Sequence, residues 1–416
     1  MVPKGWSHTT LGKVMVFKNG LNFTKADVGE EIKIVGVSDF KDLSELRSTE
    51  RLESVNVASH IKDDELLTDG DLLFVRSNGN KDLIGRCLFF PEVKERLSFS
   101  GFTIRGRADK KNILPQYIAF VARSSFFKSQ ISQYGGGTNI SNLSQQILND
   151  IALPLPPHDE QKKIVQILST WDKAISTTEQ LLANSQQQKK ALMQQLLTGK
   201  KRLLDSNGVR FSGEWITIPL EKLCHINPKR PPEPKDGLVS FIPMEFVSED
   251  AKLLSTSERF YTDVSKGFTS FLDGDILIAK ITPCFENGKG CYVQGMKNGV
   301  GFGSTEFHVL RANKLSSPLY LYYMTNTSEF RIKGEANMQG SAGQKRVTTD
   351  YLKSLKVTVP KQVEEQQKIA VVISTADQDI TALQQKLDAL KQEKKALMQQ
   401  LLTGKRRVKI DNKEVA

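Results

Sequence analysis

A twelve-residue segment occurs twice in this 416-residue chain and constrains its architecture more than any other feature. KKALMQQLLTGK spans residues 189–200 and returns unchanged at 394–405, which is 205 residues later. Chance does not produce such a match, and self-similarity at a fixed offset is the signature of a repeated structural unit. A shorter match, Asp-Gly-Asp at 69–71 and at 273–275, extends the duplication toward the start of each half.

The repeated segment ends a long run with helical periodicity in each half of the chain. Each run follows a proline, and mostly apolar residues then recur in alternating steps of four and three up to a glycine. The seam positions are 164, 168, 171, 175, 178, 182, 185, 189, 192 and 196 in the first half and 369, 373, 376, 380, 383, 387, 390, 394, 397 and 401 in the second. The spacing predicts one helix of about 40 residues per half, roughly 60 Å long, with an a/d seam that requires a partner helix.

Each long helix is the natural partner of the other. An antiparallel pair is expected, because a pseudo-twofold axis then relates the two halves; two helices that each pack on their own globule are the alternative. The seam residues Lys189 and Lys394 are expected to disfavour other registers. Four apolar residues beside the seam are predicted to bind a partner protein, unless the chain's own globules cover them. They are Met193, Leu197, Met398 and Leu402.

The sequence outside the helices predicts two globules rich in strands. Strand-like runs bounded by turn residues occur at 72–75 and 276–279, and short helical runs occur at 115–120 and 318–323. We therefore expect an α+β protein in which two mixed α/β domains are separated by two long helices that form an antiparallel coiled coil. The predicted boundaries are 1–155 and 206–360 for the domains, 156–205 and 361–408 for the helices, and 409–416 for a tail.

Polar loops that contain glycine follow the central strands at matching places in the two globules. Glycine lets a backbone approach a ligand closely, and Arg, Lys, Asn and Gln carry the groups that read base edges in DNA. For any single loop, an ordinary solvated turn is the alternative. The predicted DNA contacts are Arg76, Asn78, Asn80, Lys81, Tyr134, Thr138 and Asn139 in the first globule and Lys280, Thr282, Asn287, Lys289, Gln339, Ser341, Gln344, Lys345 and Arg346 in the second.

Composition favours an anionic partner and excludes several classes of protein. Lys and Arg number 58 against 47 for Asp and Glu, which gives a formal charge of +11. No apolar run approaches the ~20 residues that cross a bilayer, and no signal peptide is evident, so a cytoplasmic protein without a membrane partner is expected. Four cysteines in a chain of this length are not a disulfide framework, and Cys284 and Cys291 lack zinc-ligand spacing, so no metal site is predicted.

Signatures of catalysis are missing from the sequence. It contains neither the GxxxxGK[ST] phosphate-binding loop nor the HExxH zinc motif. Asp71 and Asp275 each lie in an Asp-Gly-Asp turn before a strand, where turn chemistry explains them. No catalytic residue is predicted, and the chain is not expected to be an enzyme.

These residues resemble the specificity subunit of a type I restriction–modification system. The resemblance rests on LMQQLLTGK at 192–200 and 397–405 and on the helix openings Glu-Gln-x-Lys-Ile at 160–164 and 365–369. It implies two target-recognition domains that read a bipartite, asymmetric site in double-stranded DNA. It also implies that the chain binds no cofactor and assembles with two methyltransferase subunits and, for cleavage, two restriction–translocation subunits. The alternatives are a self-contained DNA-modifying enzyme with unrecognised motifs and a coiled-coil scaffold that binds proteins.

Overall fold

The chain divides into two compact units, each with its own core. The computed structural model describes residues 3–24, 26–40, 43–58, 60–134, 142–341 and 343–410. Unit 1 comprises Met1–Glu179 together with Gln385–Ala416, and unit 2 comprises Gln180–Gln384. Each unit therefore contains one globule and about half of each long helix.

Among the residues that the structure describes, the globule of unit 1 contains three small sheets and three short α-helices. Its strands are β1 (Ser7–Thr10), β2 (Met15–Asn19), β3 (Glu30–Val35), β4 (Ser54–Val57), β5 (Leu72–Val75), β6 (Cys87–Phe89), β7 (Leu97–Phe99), β8 (Thr103–Ala108) and β9 (Ala152–Leu155). Its helices are α1 (Pro115–Ala122), α2 (Ser125–Tyr134) and α3 (Gln145–Asp150), and α4 (His158–Leu196) follows. The sheet orders are β2-β8-β5-β6, β4-β3-β7 and β1-β9.

Unit 2 repeats this plan. Its strands are β10 (Trp215–Pro219), β11 (Cys224–Ile226), β12 (Leu238–Ile242), β13 (Ser257–Phe260), β14 (Thr269–Leu272), β15 (Ile276–Ala279), β16 (Gly290–Tyr292), β17 (Val300–Gly303), β18 (Phe307–Ala312) and β19 (Lys356–Pro360). Its helices are α5 (Tyr261–Val264), α6 (Pro318–Thr325), α7 (Ser328–Glu335) and α8 (Thr349–Ser354), and α9 (Val363–Leu401) follows. The sheets are β11-β18-β15-β16, β13-β12-β17-β14 and β10-β19, so the two-domain α+β prediction is confirmed.

The central strand of each globule separates two hydrophobic clusters. All four side chains of β5 are fully buried. Because successive side chains of a strand point to opposite faces, Leu72 and Phe74 join one cluster while Leu73 and Val75 join another. Both faces of the strand are therefore buried, and the loop that follows it extends from a well-packed strand.

The long helices pack antiparallel within each unit, as predicted. In unit 1, Ile164 and Leu168 near the start of α4 share a cluster with Leu401 at the end of α9. In unit 2, Leu196 at the end of α4 shares a cluster with Ile369 near the start of α9. Both helices are 39 residues long, and none of their seam positions, all of which the structure describes, is exposed.

The two seam lysines each form an ion pair with an aspartate of the opposite helix. In unit 2 the Lys189 Nζ lies 2.5 Å from the Asp377 Oδ1, and in unit 1 Lys394 pairs with Asp172 one repeat away. Both pairs are only partly exposed to solvent. A shifted register would separate these charges, so the pairs supply the register preference that the sequence predicts.

A buried glutamate in the first turn of each long helix forms an ion pair with an arginine that follows the end of the other long helix. The Arg202 Nη2 lies 2.8 Å from Oε2 of the buried Glu365 in unit 2. In unit 1 the Arg407 Nε lies 2.8 Å from Oε2 of the buried Glu160, which also accepts a hydrogen bond from the Trp6 indole. The pair raises the pKa of Arg407. The arginine–glutamate pairs repeat between the units and give the two helix junctions the same framework. The tryptophan contact does not repeat, because the buried indole N–H of Trp215 in unit 2 has no hydrogen-bond partner among the described residues.

Candidate nucleic-acid interface

Two polar loops of unit 1 meet at Arg76, directly after β5. The Arg76 carbonyl accepts a hydrogen bond from the Leu143 amide (2.7 Å), and the Arg76 amide donates to the Phe102 carbonyl (2.8 Å). The Asn78 side chain accepts from the Asn80 amide at 2.8 Å, and the Asn80 side chain then caps the following turn. Backbone and side-chain hydrogen bonds therefore order the loop and leave its polar tip accessible.

Unit 2 builds the same junction at Lys280, directly after β15. The Lys280 amide donates to the Glu306 carbonyl, and the Lys280 carbonyl accepts from the Val347 amide, both at 2.8 Å. The Thr282 amide donates to the Lys345 carbonyl at 2.9 Å. Lys280, Thr282, Lys345 and their neighbours therefore lie on one surface, and the match between the units establishes that Arg76 and Lys280 occupy equivalent places.

Several of the predicted DNA contacts of unit 2 form hydrogen bonds inside the unit. The Asn287 side chain donates to Glu249 at 2.8 Å, and the half-buried Lys289 donates to the Met244 carbonyl at 3.3 Å. The Thr282 hydroxyl donates to Glu286 at 2.7 Å. These contacts hold the loop in shape and engage the Asn287 and Lys289 side chains within unit 2.

The other predicted residues differ in exposure. Lys81, Gln339, Ser341, Gln344 and Lys345 are exposed, and Tyr134 is 52% exposed at the end of α2. Arg346 is half-buried and paired with Glu306. Thr138 and Asn139 lie outside the described residues.

A cleft of about 590 Å³ adjoins the loop junction of unit 1. Asn78, Arg51 and Phe102 line it, and Phe102 is 64% exposed, which is unusual for a large aromatic side chain. Phe102 and its counterpart Glu306 were not among the predicted contacts. Both precede the last strand of the central sheet one repeat apart, so alignment of the two halves is the signal that could have found them.

The buried aspartates before the central strands are structural, in agreement with the prediction from turn chemistry. The Asp71 Oδ2 accepts from the Thr68 amide at 2.8 Å and also pairs with the Arg107 Nη2 at 2.7 Å. Asp275 pairs with Arg311 at the same distance in unit 2. The hydrogen bonds to these carboxylates raise the pKa of both arginines.

Two segments of the chain, residues 3–184 and 213–392, match the family model of the type I restriction modification DNA specificity domain. The chain belongs to this family. The specificity subunit of the type I restriction enzyme EcoAI from Escherichia coli is 40% identical over 162 residues, which are 38% of this chain and 27% of that protein. This chain thus spans about a quarter of that relative's length.

Similarity over the full length is lower but continuous. A Methanocaldococcus jannaschii protein named as the specificity subunit of type I restriction enzyme MjaX is 26% identical over 98% of this chain and 95% of its own. The crystal structure of the HsdS subunit from Thermoanaerobacter tengcongensis matches 97% of this chain and 98% of its own, with a TM-score of 0.51 and 18% identity. That structure supports the fold of the two specificity domains.

Two of the four apolar residues beside the helix seam are covered by the chain's own globules, which is the alternative to partner binding at those positions. Leu197 is 6% exposed in the core of unit 2, and Leu402 is 1% exposed in the core of unit 1. Each specificity domain covers its own leucine, because the globule packs directly against that face of the helix. Met398 and Met193 are each partly buried against the core of their own unit, and Met193 also lines a cleft of about 570 Å³ in unit 2.

The cysteines and acids of the specificity domains do not come together as ligands. Among the residues that the structure describes, no group of three or more His, Cys, Asp or Glu side chains could hold a metal ion. Cys291 is buried, and burial raises the pKa of its thiol to about 12. Within the same described ranges, no helix combines the length and apolar character that crossing a membrane requires.

Proposed function

We propose that this chain is the DNA-reading specificity subunit of a type I restriction–modification complex and recognises a bipartite, asymmetric site. One observation carries the proposal: the same loop junction occurs in both units but presents different side chains. Arg76 and Phe102 stand in unit 1 where Lys280 and Glu306 stand in unit 2. Equivalent surfaces with unlike chemistry are suited to two different half-sites, and the basic composition favours DNA.

The partners that we propose are two methyltransferase subunits and, for cleavage, two restriction–translocation subunits. The repeated helix junctions support this stoichiometry, because two similar frameworks offer two similar docking places. Met193 in the 570 Å³ cleft of unit 2 is the apolar side chain best placed to meet a partner there. The chain itself would contribute no catalytic residue and bind no cofactor, and action on cellular DNA would occur in the cytoplasm.

Selection of duplexes from a randomised DNA library by the full chain tests the proposal. We expect enrichment of two unlike half-sites separated by an unspecified gap, and affinity that falls steeply as salt rises. A chimeric chain whose residues 215–360 come from another family member should select a different second half-site and the same first half-site. A change in both half-sites, or no enrichment at all, would contradict the assignment of one half-site to each globule.

Alanine variants of Arg76 and Lys280 test the loop junctions separately. Arg76→Ala should affect the first half-site and Lys280→Ala the second, because each side chain lies in its own unit. A phosphate contact would lower affinity on all sequences and reduce the salt slope by about one, while a base contact would relax one position. Lys222→Ala, which removes a positive charge at an exposed position in the short 3-10 helix Leu220–Lys222, is the control. Methyl transfer by the purified chain alone would contradict the non-catalytic role.

A further inference from the structure

Arg346 and Glu306 form a bidentate ion pair on the predicted DNA surface of unit 2. The Arg346 Nη2 lies 2.9 Å from the Glu306 Oε1, and the Arg346 Nε lies 3.0 Å from the Glu306 Oε2. The two side chains keep 41% and 26% of their exposure, so the pair stands at the surface. An exposed pair of this kind contributes little to stability, which leaves orientation of the guanidinium as its main effect.

Two N–H groups of the Arg346 guanidinium remain available, one on each terminal nitrogen. A guanidinium carries five N–H groups. Glu306 takes one from Nε and one from Nη2, and the Gln344 carbonyl takes one from Nη1 at 3.1 Å. One N–H on each terminal nitrogen then has no acceptor among the residues that the structure describes. Arginine is the side chain that most often contacts O6 and N7 of guanine in the major groove, and these two N–H groups are the donors that Arg346 can offer for that contact.

The backbone fixes both partners of the pair. The Arg346 amide donates to the Gln339 carbonyl at 2.8 Å, and the Gln339 amide donates back to the Arg346 carbonyl at 2.9 Å. The Lys280 amide holds the Glu306 carbonyl, and Ile281 forms a β-bridge with Arg346. The side chain is therefore oriented before any ligand arrives, which lowers the entropy lost on binding.

We propose that Arg346, positioned by Glu306, reads a guanine in the half-site recognised by unit 2. The inference rests on the proposed function and names one base contact within it. Unit 1 lacks this pair, because Phe102 and Asn142 stand at the equivalent positions one repeat earlier. The guanine preference is accordingly confined to one half-site, and Glu306 acts as a positioning residue.

Library selection with the full chain and three variants tests the assignment. Arg346→Ala and Arg346→Lys should reduce the preference for guanine at one position by about 5- to 150-fold, since lysine keeps the charge but not the paired donors. Glu306→Gln should relax the same position by a smaller factor and should not lower the affinity for mixed DNA, because it removes a negative charge from that surface. Other positions, including the whole first half-site, should keep their base preferences.

A matched control separates reading from stabilisation. Arg311→Lys alters the similar ion pair with Asp275, which lies before the central strand and away from the loops. It should lower the thermal midpoint without changing any base preference. If Glu306→Gln and Arg346→Lys also lower the thermal midpoint without changing any base preference, the Arg346–Glu306 pair only stabilises the loop and the inference is overturned. Selection of two half-sites by the wild type would then still support the proposed function. If the wild type selects no half-sites, both fail together.

Discussion

Replacement of Gln366 by leucine should loosen the junction between α9 and the globule of unit 2. This side chain is 1% exposed and makes three hydrogen bonds. Its Oε1 accepts from the Ser317 amide at 2.9 Å, while its Nε2 donates to the carbonyls of Leu315 (3.1 Å) and Pro360 (2.8 Å). Leucine has a similar volume but can make none of these contacts.

The expected loss follows from what remains after the substitution. The Ser317 amide would be left buried without an acceptor, which costs about 1–3 kcal/mol. The two carbonyls lose a donor, at a smaller cost because carbonyl oxygens tolerate partial satisfaction better than amides do. The gain from burying apolar leucine atoms offsets part of this, so we expect destabilisation of about 2–4 kcal/mol.

Hydrogen exchange read out by mass spectrometry suits this test, because a chain of two units does not unfold in a single two-state step. Exchange in α6, which starts beside Ser317, should accelerate in Gln366→Leu and remain unchanged in α1. Gln161→Leu should produce the reverse pattern, because the Gln161 Oε1 accepts from the Leu114 amide at 2.8 Å directly before α1.

Each variant has a control at an exposed glutamine of its own helix, Gln367→Leu for Gln366 and Gln166→Leu for Gln161, and each control should change stability by less than about 0.5 kcal/mol. Equal exchange in the Gln366 and Gln367 variants would refute the reasoning that the buried amide ties the helix to the globule.

Three further predictions concern pH, specificity and spacing. Burial lowers the pKa of His308, so protonation of this side chain favours the unfolded state. Unit 2 should therefore be most stable above about pH 6.5 and should lose stability as the pH falls toward the lowered pKa. Calorimetry of His308→Asn should find a weaker dependence of stability on pH. Phe102→Ala should leave the thermal midpoint nearly unchanged and relax only the first half-site in library selection, since that side chain is 64% exposed. Matched seven-residue, one-heptad insertions in both long helices, after Ser185 in α4 and after Ile380 in α9, should lengthen the unspecified gap in selected DNA, because the two helices then lengthen together and keep the ion pairs on either side. A single seven-residue insertion after Asn207, in an exposed turn, should not change the gap. An unchanged gap with the paired insertions would show that the helices do not set the spacing.

The helices and the repeated sheet plan could be predicted because their signals are local and periodic. Alternation in steps of four and three marks a seam whatever lies around it, and glycines at 199 and 404, both with φ of 71°, end the repeated segment as expected. The same periodicity identifies Leu197 and Leu402 as apolar but does not say what covers them. Their burial depends on how a globule packs against the helix, and that information is not local.

The charged contacts could not be predicted for the same reason. Glu160 and Glu365 each read as an acid at a helix start, yet their partners are Arg407 and Arg202, which lie far away in the sequence. Glu306 carries no local signal at all, because a single glutamate before a strand is unremarkable until the fold places Arg346 beside it. Pairings between distant segments require the topology first.

The division between repeated and unlike contacts indicates how this fold can change its target. The ion pairs of Glu365 with Arg202 and of Glu160 with Arg407 repeat in both units and fix the helix junctions. The positions that differ, such as Phe102 against Glu306, lie at loop junctions whose backbone hydrogen bonds are the same in both units. Because those hydrogen bonds involve only backbone atoms, side chains there can be exchanged without loss of the junction. Base preference can therefore vary at these positions while the framework that supports them stays constant.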